Sequence, residues 1–304
     1  MNLKKFDYIC RLSQKNLKKY VARELQTTHT DITVNGGYVF ARGSFPVLLV
    51  AHLDTVHPTV PQKIYFDTNN STLSSPQGIG GDDRCGVYMI LEIVKHFNCS
   101  VLFCEDEEVG GIGASEFCKD YRHETFDFNY IIELDRKGSN DAVFYDCAND
   151  EFESFICKDY FKASFGTFSD ISIIAPHLQC AAVNLSSGYY NAHTKDEYVV
   201  VTDVDTIVQE VGKILDRTTE ADKFEYIEDV QYSRYTKYGW DDDWDELDEY
   251  SPTDNYYMIE YNDYGDRTRW ETIIARSMDE AIGKFLSIYQ TLTYRDIRDI
   301  TICD

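Results

Sequence analysis

The chain has 304 residues, 53 Asp and Glu against 29 Lys and Arg, a formal net charge of -24 and 43% hydrophobic residues. That apolar share excludes wholesale disorder, and the length fits one large domain or one large plus one small. The acidity argues against nucleic-acid and anionic-membrane partners, which need clustered Lys and Arg. The charge itself reads two ways, as a solvated skin or in part as carboxylates gathered to hold cations.

The opening MNLKKFDYICRLSQKNLKKY carries lysines but no apolar run of signal-peptide length. No stretch approaches the roughly 18–20 apolar residues of a membrane span. Nine cysteines are scattered singly without a CxxC, so the expectation is reduced thiols in a cytoplasmic protein. Cys85, Cys99 and Cys104 sit in or beside apolar segments and are expected as small core residues.

Helical spacing of Leu17, Tyr20, Val21 and Leu25 predicts a first helix capped by Ser13. Residues 32–42 read as a hairpin around Asn35-Gly36-Gly37, and FPVLLVAHLDTV as a buried strand running out into polar residues. A polar loop, roughly 58–80, precedes the helix DRCGVYMILEIVKHF and the strand Val101–Asp106. ASEFCKDYR is a short helix, NYIIELD and DAVFYD are strands, and ESFICKDYF is a helix. DISIIA is a helix or a strand entry, CAAVNLSSG a strand and turn, and VTDVDTIVQEVGKILDRT a long amphipathic helix capped near Thr202. Strands alternating with helices predict a three-layer α/β/α fold on a mainly parallel mixed sheet, with ligands at the carboxyl ends of the strands.

Composition shifts near residue 218, giving a predicted catalytic domain over 1–218 and an acidic linker over 219–252. The linker includes DDDWDELDE, with seven acids in nine residues. Beyond it, 253–304 reads as a small α+β, β-β-α-β appendage: a hairpin turning at Asp263–Arg267, a helix capped by Ser277 and a last strand. The acidic C-terminal region is the expected surface for a protein partner or for self-association.

Five segments carry the chemistry: His52-Leu53-Asp54, Gly80 to Gly86 (GGDDRCG), Asp106 to Gly110 (DEEVG), Glu133-Leu134-Asp135 and Asn191 to Glu197 (NAHTKDE). In a strand, i and i+2 share a face, so Asp54 can fix the ring of a metal-binding His52. Taken alone, so short a pattern reads first as a satisfied buried His–Asp pair. Adjacent carboxylates at Asp82 and Asp83 repel unless a cation or donors hold them, though they also suit a helix N-terminus. Among Asp106, Glu107 and Glu108, one acid can bind metal while its neighbour accepts a proton; an acidic loop over a strand end is the other reading. His193 and Asp135 carry little alone. Taken together, in one order and each at a strand end or loop, the segments supply two His and several carboxylates, donors suited to a divalent ion.

This ordered combination resembles the co-catalytic di-zinc peptidase superfamily, which includes peptidase T, aminoacylases, zinc carboxypeptidases and related aminopeptidases, over roughly residues 45–215. The resemblance implies His52, Asp82, Glu108, Asp135 and His193 as ligands, with Asp82 bridging two Zn²⁺ or another divalent metal such as Co²⁺ or Mn²⁺. One ion would take His52, Asp82 and Asp135, the other Asp82, Glu108 and His193. It implies Asp54 as the residue orienting His52, Glu107 as general base and a cis Asp82–Asp83 peptide. The implied activity is hydrolysis of a short peptide, as an aminopeptidase, with an N-acyl amino acid or other amide deacylase as the alternative and a non-catalytic interaction protein as a third. Asp135 and His193 are only 58 positions apart, too close for the inserted lid or dimerisation domain of many relatives and for the oxyanion-stabilising His it brings. Tyr189 and Tyr190 are candidates by position for that donor, or ordinary packing aromatics. Gly166 to Asp170 resembles a family loop near the substrate, so Thr167 and Asp170 are expected at the substrate site.

Overall fold

Phe45–His52 is a strand whose residues from Val47 onward are all buried, the pattern of a central strand covered on both faces. The computed structural model describes residues 1–166, 168–228, 255–262, 268–275, 281–282, 284–285 and 297–303. In chain order its main unit runs α1 (Leu3–Cys10), α2 (Gln14–Leu25), β1 (Asp31–Val34), β2 (Tyr38–Arg42), β3 (Phe45–His52), β4 (Tyr65–Asp67), β5 (Thr72–Ser74) and α3 (Gly81–Ile93). It continues with β6 (Cys99–Cys104), α4 (Ile112–Asp120), β7 (Tyr130–Arg136), β8 (Asp141–Val143), α5 (Asp150–Ile156) and β9 (Lys162–Ser164). It ends with α6 (Ile171–Leu178), β10 (Ala182–Ser186), β11 (Tyr189–Tyr190), β12 (Tyr198–Val200) and α7 (Val201–Arg217).

Eight strands form one sheet in the order β1-β2-β6-β3-β7-β10-β8-β9. Its centre, β6-β3-β7-β10, is parallel, while β1, β2 and β8 add antiparallel pairs. Alternate residues divide the core. Val47, Leu49 and Ala51 join the cluster built with α1, α2, α3, α5 and α7, whereas Leu48 and Val50 join that of α4 and α6. This is the expected three-layer α/β/α fold.

The structure changes several predicted elements. The helix α1 was not expected: it has only Phe6, Ile9 and Cys10 as buried positions, and its cap is Asn2, which accepts from the Lys5 amide at 3.1 Å. Within the polar 58–80 region, β4 and β5 join β11 and β12 in a second sheet, β11-β12-β5-β4. Three-residue strands are too short for a period to show, and Leu73 is the one buried position they contribute. DISIIA is helical, and α7 starts at Val201 with Val200 as cap rather than near Thr202. The stretch predicted to begin a linker at 219 is bound to the main unit as far as Glu228. The Phe224 amide donates to the Asn129 carbonyl at 2.8 Å, the Ala148 amide to that of Ile227 at 2.8 Å, and Phe224 packs among Tyr130, Phe152 and Phe155. That attachment alternates over too few residues to be legible.

The helix α3 is buried along almost its whole length and passes close to β7. At Gly86 an added Cβ would lie 1.9 Å from the Leu134 carbonyl oxygen and 2.6 Å from both Asp83 carboxylate oxygens. Backbone cannot yield there as a flexible side chain can, so Gly86→Ala is expected to cost at least about 3 kcal/mol, read as a lowered denaturant midpoint.

The eight cysteines with described side chains are unpaired, seven of them buried, with Cys85, Cys99 and Cys104 in the core. No described helix is long and apolar enough to cross a membrane. The chain divides into two compact units, Met1–Lys237 and Tyr238–Asp304. The second holds β13 (Asn255–Asn262), β14 (Thr268–Ala275) and β15 (Ile297–Cys303), antiparallel with β13 in the middle. Tyr257, Ile259, Tyr261, Ile273, Ala281 and Phe285 form its core. Residues 281–282 and 284–285 are helical; the rest of that predicted helix, its Ser277 cap, the turn at 263–267 and the acidic run at 241–249 lie outside the described residues.

Candidate active site

The site lies where β3, β6 and β7 end, against the start of α3, the crevice at which parallel sheets place ligands. His52 closes β3 and is fully buried. Its Nδ1 lies 3.2 Å from Asp54 Oδ1. Asp54 does more than orient the ring: Oδ1 also accepts the Glu107 amide and Oδ2 the Glu108 amide, each at 3.1 Å. One carboxylate therefore holds β3 and the loop after β6 together.

The start of α3 departs from helical geometry at Asp82 and Asp83, whose peptide bond is cis, as the resemblance implied. The two acids part company there. Asp82 faces the site. Asp83, fully buried, turns back: Oδ2 accepts the His52 amide at 3.2 Å and Oδ1 the Gly86 amide at 2.9 Å. Arg84 is also buried, and its guanidinium donates to the carbonyls of Leu53 at 2.5 Å, Asp54 at 3.3 Å and Leu12 at 3.3 Å. A buried cation needs such acceptors. Two of them directly follow β3, so Arg84 pins the end of the strand that carries His52.

Two triads result. His52 Nε2 lies 2.9 Å from Asp82 Oδ1 and 3.3 Å from Asp135 Oδ1. His193 Nε2 lies 3.2 Å from Asp82 Oδ2 and 3.2 Å from Glu108 Oε2. In both groups the candidate donor atoms fall within 4.8 Å of one another, and Asp82 belongs to both. Glu107 shares a third such group with His52 and Glu108. The His52 side chain is 1% exposed and that of His193 is 56% exposed, so one triad lies at the floor of the crevice and the other at its rim. His193 and Asn191 have φ of +63° and +56°, a left-handed conformation uncommon outside Gly that concentrates at functional loops. Asp106 turns away and accepts from Gln14 Nε2 at 2.8 Å.

The electrostatics show what the crevice suits. Burial and the charge of Asp82 push Asp135 well above the ordinary carboxylate range. Burial, then the charges of Asp135, Asp170 and Glu108 against the opposing pull of His52, push Glu107 up to about 9. Burial opposes ionisation of Asp82 too, but hydrogen bonds from His193 and His52 outweigh it and hold Asp82 low. His193 is raised to about 10 by its bonds to Asp82 and Glu108. Carboxylates this crowded call for positive charge, and cations placed among them would favour their ionised forms. Among the described residues, the buried Glu108 Oε1 has no hydrogen-bond partner. The imidazole and carboxylate donors fit divalent zinc, cobalt or manganese.

The remaining predicted residues fall out unevenly. Tyr189 is buried and spends its only proton on the Asp135 carbonyl oxygen at 2.9 Å, so it braces a ligand strand rather than offering an oxyanion donor. Tyr190 donates to Asp203 at 2.6 Å and is equally committed. Asp170 is fully buried beside the Cys104 thiol, and burial pushes it up to about 7. Thr167 lies outside the described residues. Between Asp135 and His193 the described residues form β8, α5, β9, α6, β10 and β11, all parts of the main unit, with no separate lid among them.

Residues 39–180 match the model of Peptidase family M28. Over these residues the chain is similar to the zinc peptidases of that family. The fold is similar to that of aminopeptidase PepT from Bacillus cereus, at a TM-score of 0.57 and 12% identity over 70% of this chain and 97% of that one. A Zn-dependent exopeptidase from Parabacteroides distasonis aligns at a TM-score of 0.51 and 15% identity, over 71% and 95%. In sequence, a probable carboxypeptidase of Aspergillus niger is 31% identical over 85 residues, 25% of this chain, and the chain spans only 20% of that relative's length.

Proposed function

We propose that the chain is a metal-dependent peptidase acting through two divalent ions, with zinc as the favoured metal and Glu107 as general base. The observation that carries this is the pair of triads sharing Asp82, with Glu107 alongside. Divalent ions held there would polarise a scissile carbonyl and lower the pKa of a coordinated water. Glu107 takes a proton from the attacking water and returns it to the departing amine. His52, Asp82 and Asp135 would hold one ion, and Asp82, Glu108 and His193 the other. Asp54 keeps the ring of His52 and the amides of Glu107 and Glu108 in one register, so base and ligands stay aligned. Asp170, buried beside the base, would complete the substrate end of the crevice.

Action on short peptides from their amino end is supported by the fold neighbours described as an aminopeptidase and an exopeptidase. The test is chelation followed by reconstitution with Zn²⁺, Co²⁺ or Mn²⁺, assayed on di- and tripeptides with free or acetylated N-termini. Activity should vanish and return with metal, and free N-termini should be preferred. Turnover that survives chelation overturns the metal assignment; preference for acetylated substrates replaces aminopeptidase with deacylase.

A further inference from the structure

Glu197 lies at the end of the loop that carries His193 and is fully buried. A buried carboxylate costs several kcal/mol unless its oxygens are satisfied. Here Oε1 accepts the Asp82 amide at 3.0 Å, and Oε2 accepts the Gly80 amide at 2.8 Å and the His57 Nε2 proton at 2.8 Å. All three bonds reach segments distant in sequence, the one that follows β3 and the one that opens α3. His57 is wedged in turn, since a Cβ on Gly78 (φ +83°) would fall 2.2–2.5 Å from three of its ring atoms.

The loop between His193 and Glu197 is tied to itself. The Thr194 hydroxyl donates to the Asn191 carbonyl at 2.8 Å and accepts the Asp196 amide at 3.2 Å, and the Glu197 amide donates to the Thr194 carbonyl at 3.3 Å. A shift of Glu197 therefore carries His193 with it. The floor triad shares Asp82 but has further support of its own. His52 and Asp135 extend from β3 and β7, which pair directly, and Asp83 ties the Asp82 segment to the His52 amide.

We propose that Glu197, backed by His57, is a positioning residue that sets the distance between His193 and Asp82 and so governs metal affinity at the rim triad but not at the floor triad. This rests on the two-ion reading above. It places a long-range strut, two residues short of β12's centre, in control of one site of the pair.

The experiment uses the full chain, stripped of metal and titrated with Zn²⁺ by calorimetry and with Co²⁺ by visible absorption, with thermal melting of the metal-free protein as the folding control. His193→Ala identifies the rim step. Glu197→Gln should weaken that same step by about 10–100-fold and leave the other within about twofold, with the floor-site Co²⁺ spectrum unchanged. His57→Asn, which leaves Glu197 in place, should weaken the same step to a smaller degree, and it carries the test if Glu197→Gln does not fold. Equal weakening of both steps, or no change in either, overturns the proposal. A wild-type protein that takes up a single ion overturns the two-ion reading itself, an outcome the variants cannot produce.

Discussion

Replacing Glu107 with Gln is expected to lower kcat by about 10²–10⁴-fold while the protein keeps its metal content. Gln preserves the shape of the side chain and its backbone anchors, because the Glu107 amide is held by Asp54 whatever the side chain is. What it loses is the capacity to take a proton. Without cations, burial and three neighbouring carboxylates keep Glu107 protonated up to about pH 9. Positive charge at Glu108 and Asp82 would oppose those neighbours and free Glu107 to act near neutrality. The measurement is steady-state turnover alongside metal analysis. Unchanged turnover in the variant would remove Glu107 from the mechanism, and loss of metal together with activity would recast it as a ligand.

Asp82→Ala is expected to be the most damaging ligand change. Each oxygen of Asp82 serves a different histidine, Oδ1 at 2.9 Å from His52 and Oδ2 at 3.2 Å from His193. Losing an outer-shell partner costs about 10–100-fold in metal affinity, so losing this shared carboxylate should cost more than about 100-fold at both positions. Removing His193 should instead spare the floor triad. Equilibrium dialysis of the two variants separates the cases: retention of one tightly bound ion in Asp82→Ala would show that the carboxylate is not shared.

The layered fold was readable because its two periods are strong. The all-apolar β3 and the long face of α7 leave few alternatives, while α1, β4, β5, β9, β11 and β12 are too short for a period to emerge. The site was readable in a narrower sense. His52, Asp82, Glu107, Glu108, Asp135 and His193 stand in short ordered motifs, and the fold brings them into one crevice. The residues that hold them there were not legible. Asp83 looks like the second half of an acidic pair, and its turn toward the His52 amide depends on the path of the chain between them. Arg84 looks like an ordinary surface cation, yet it is 1% exposed and serves backbone 31 and 72 positions away. Glu197 bonds across more than a hundred positions, a separation that no local pattern encodes. Tyr189 shows the converse: position alone suggested a catalytic hydroxyl, and a single hydrogen bond to Asp135 commits it elsewhere.

The bonds of Asp54 have a mechanical consequence. Because one side chain grips the His52 ring and the two amides that follow β6, the floor ligand, the base and Glu108 move as one body. Thermal motion cannot change their spacing without breaking a bond to that single carboxylate. The opposite bank, the 191–197 loop, is held by a different carboxylate, that of Glu197. Two single carboxylates, Asp54 on one side and Glu197 on the other, thus set the width of the crevice.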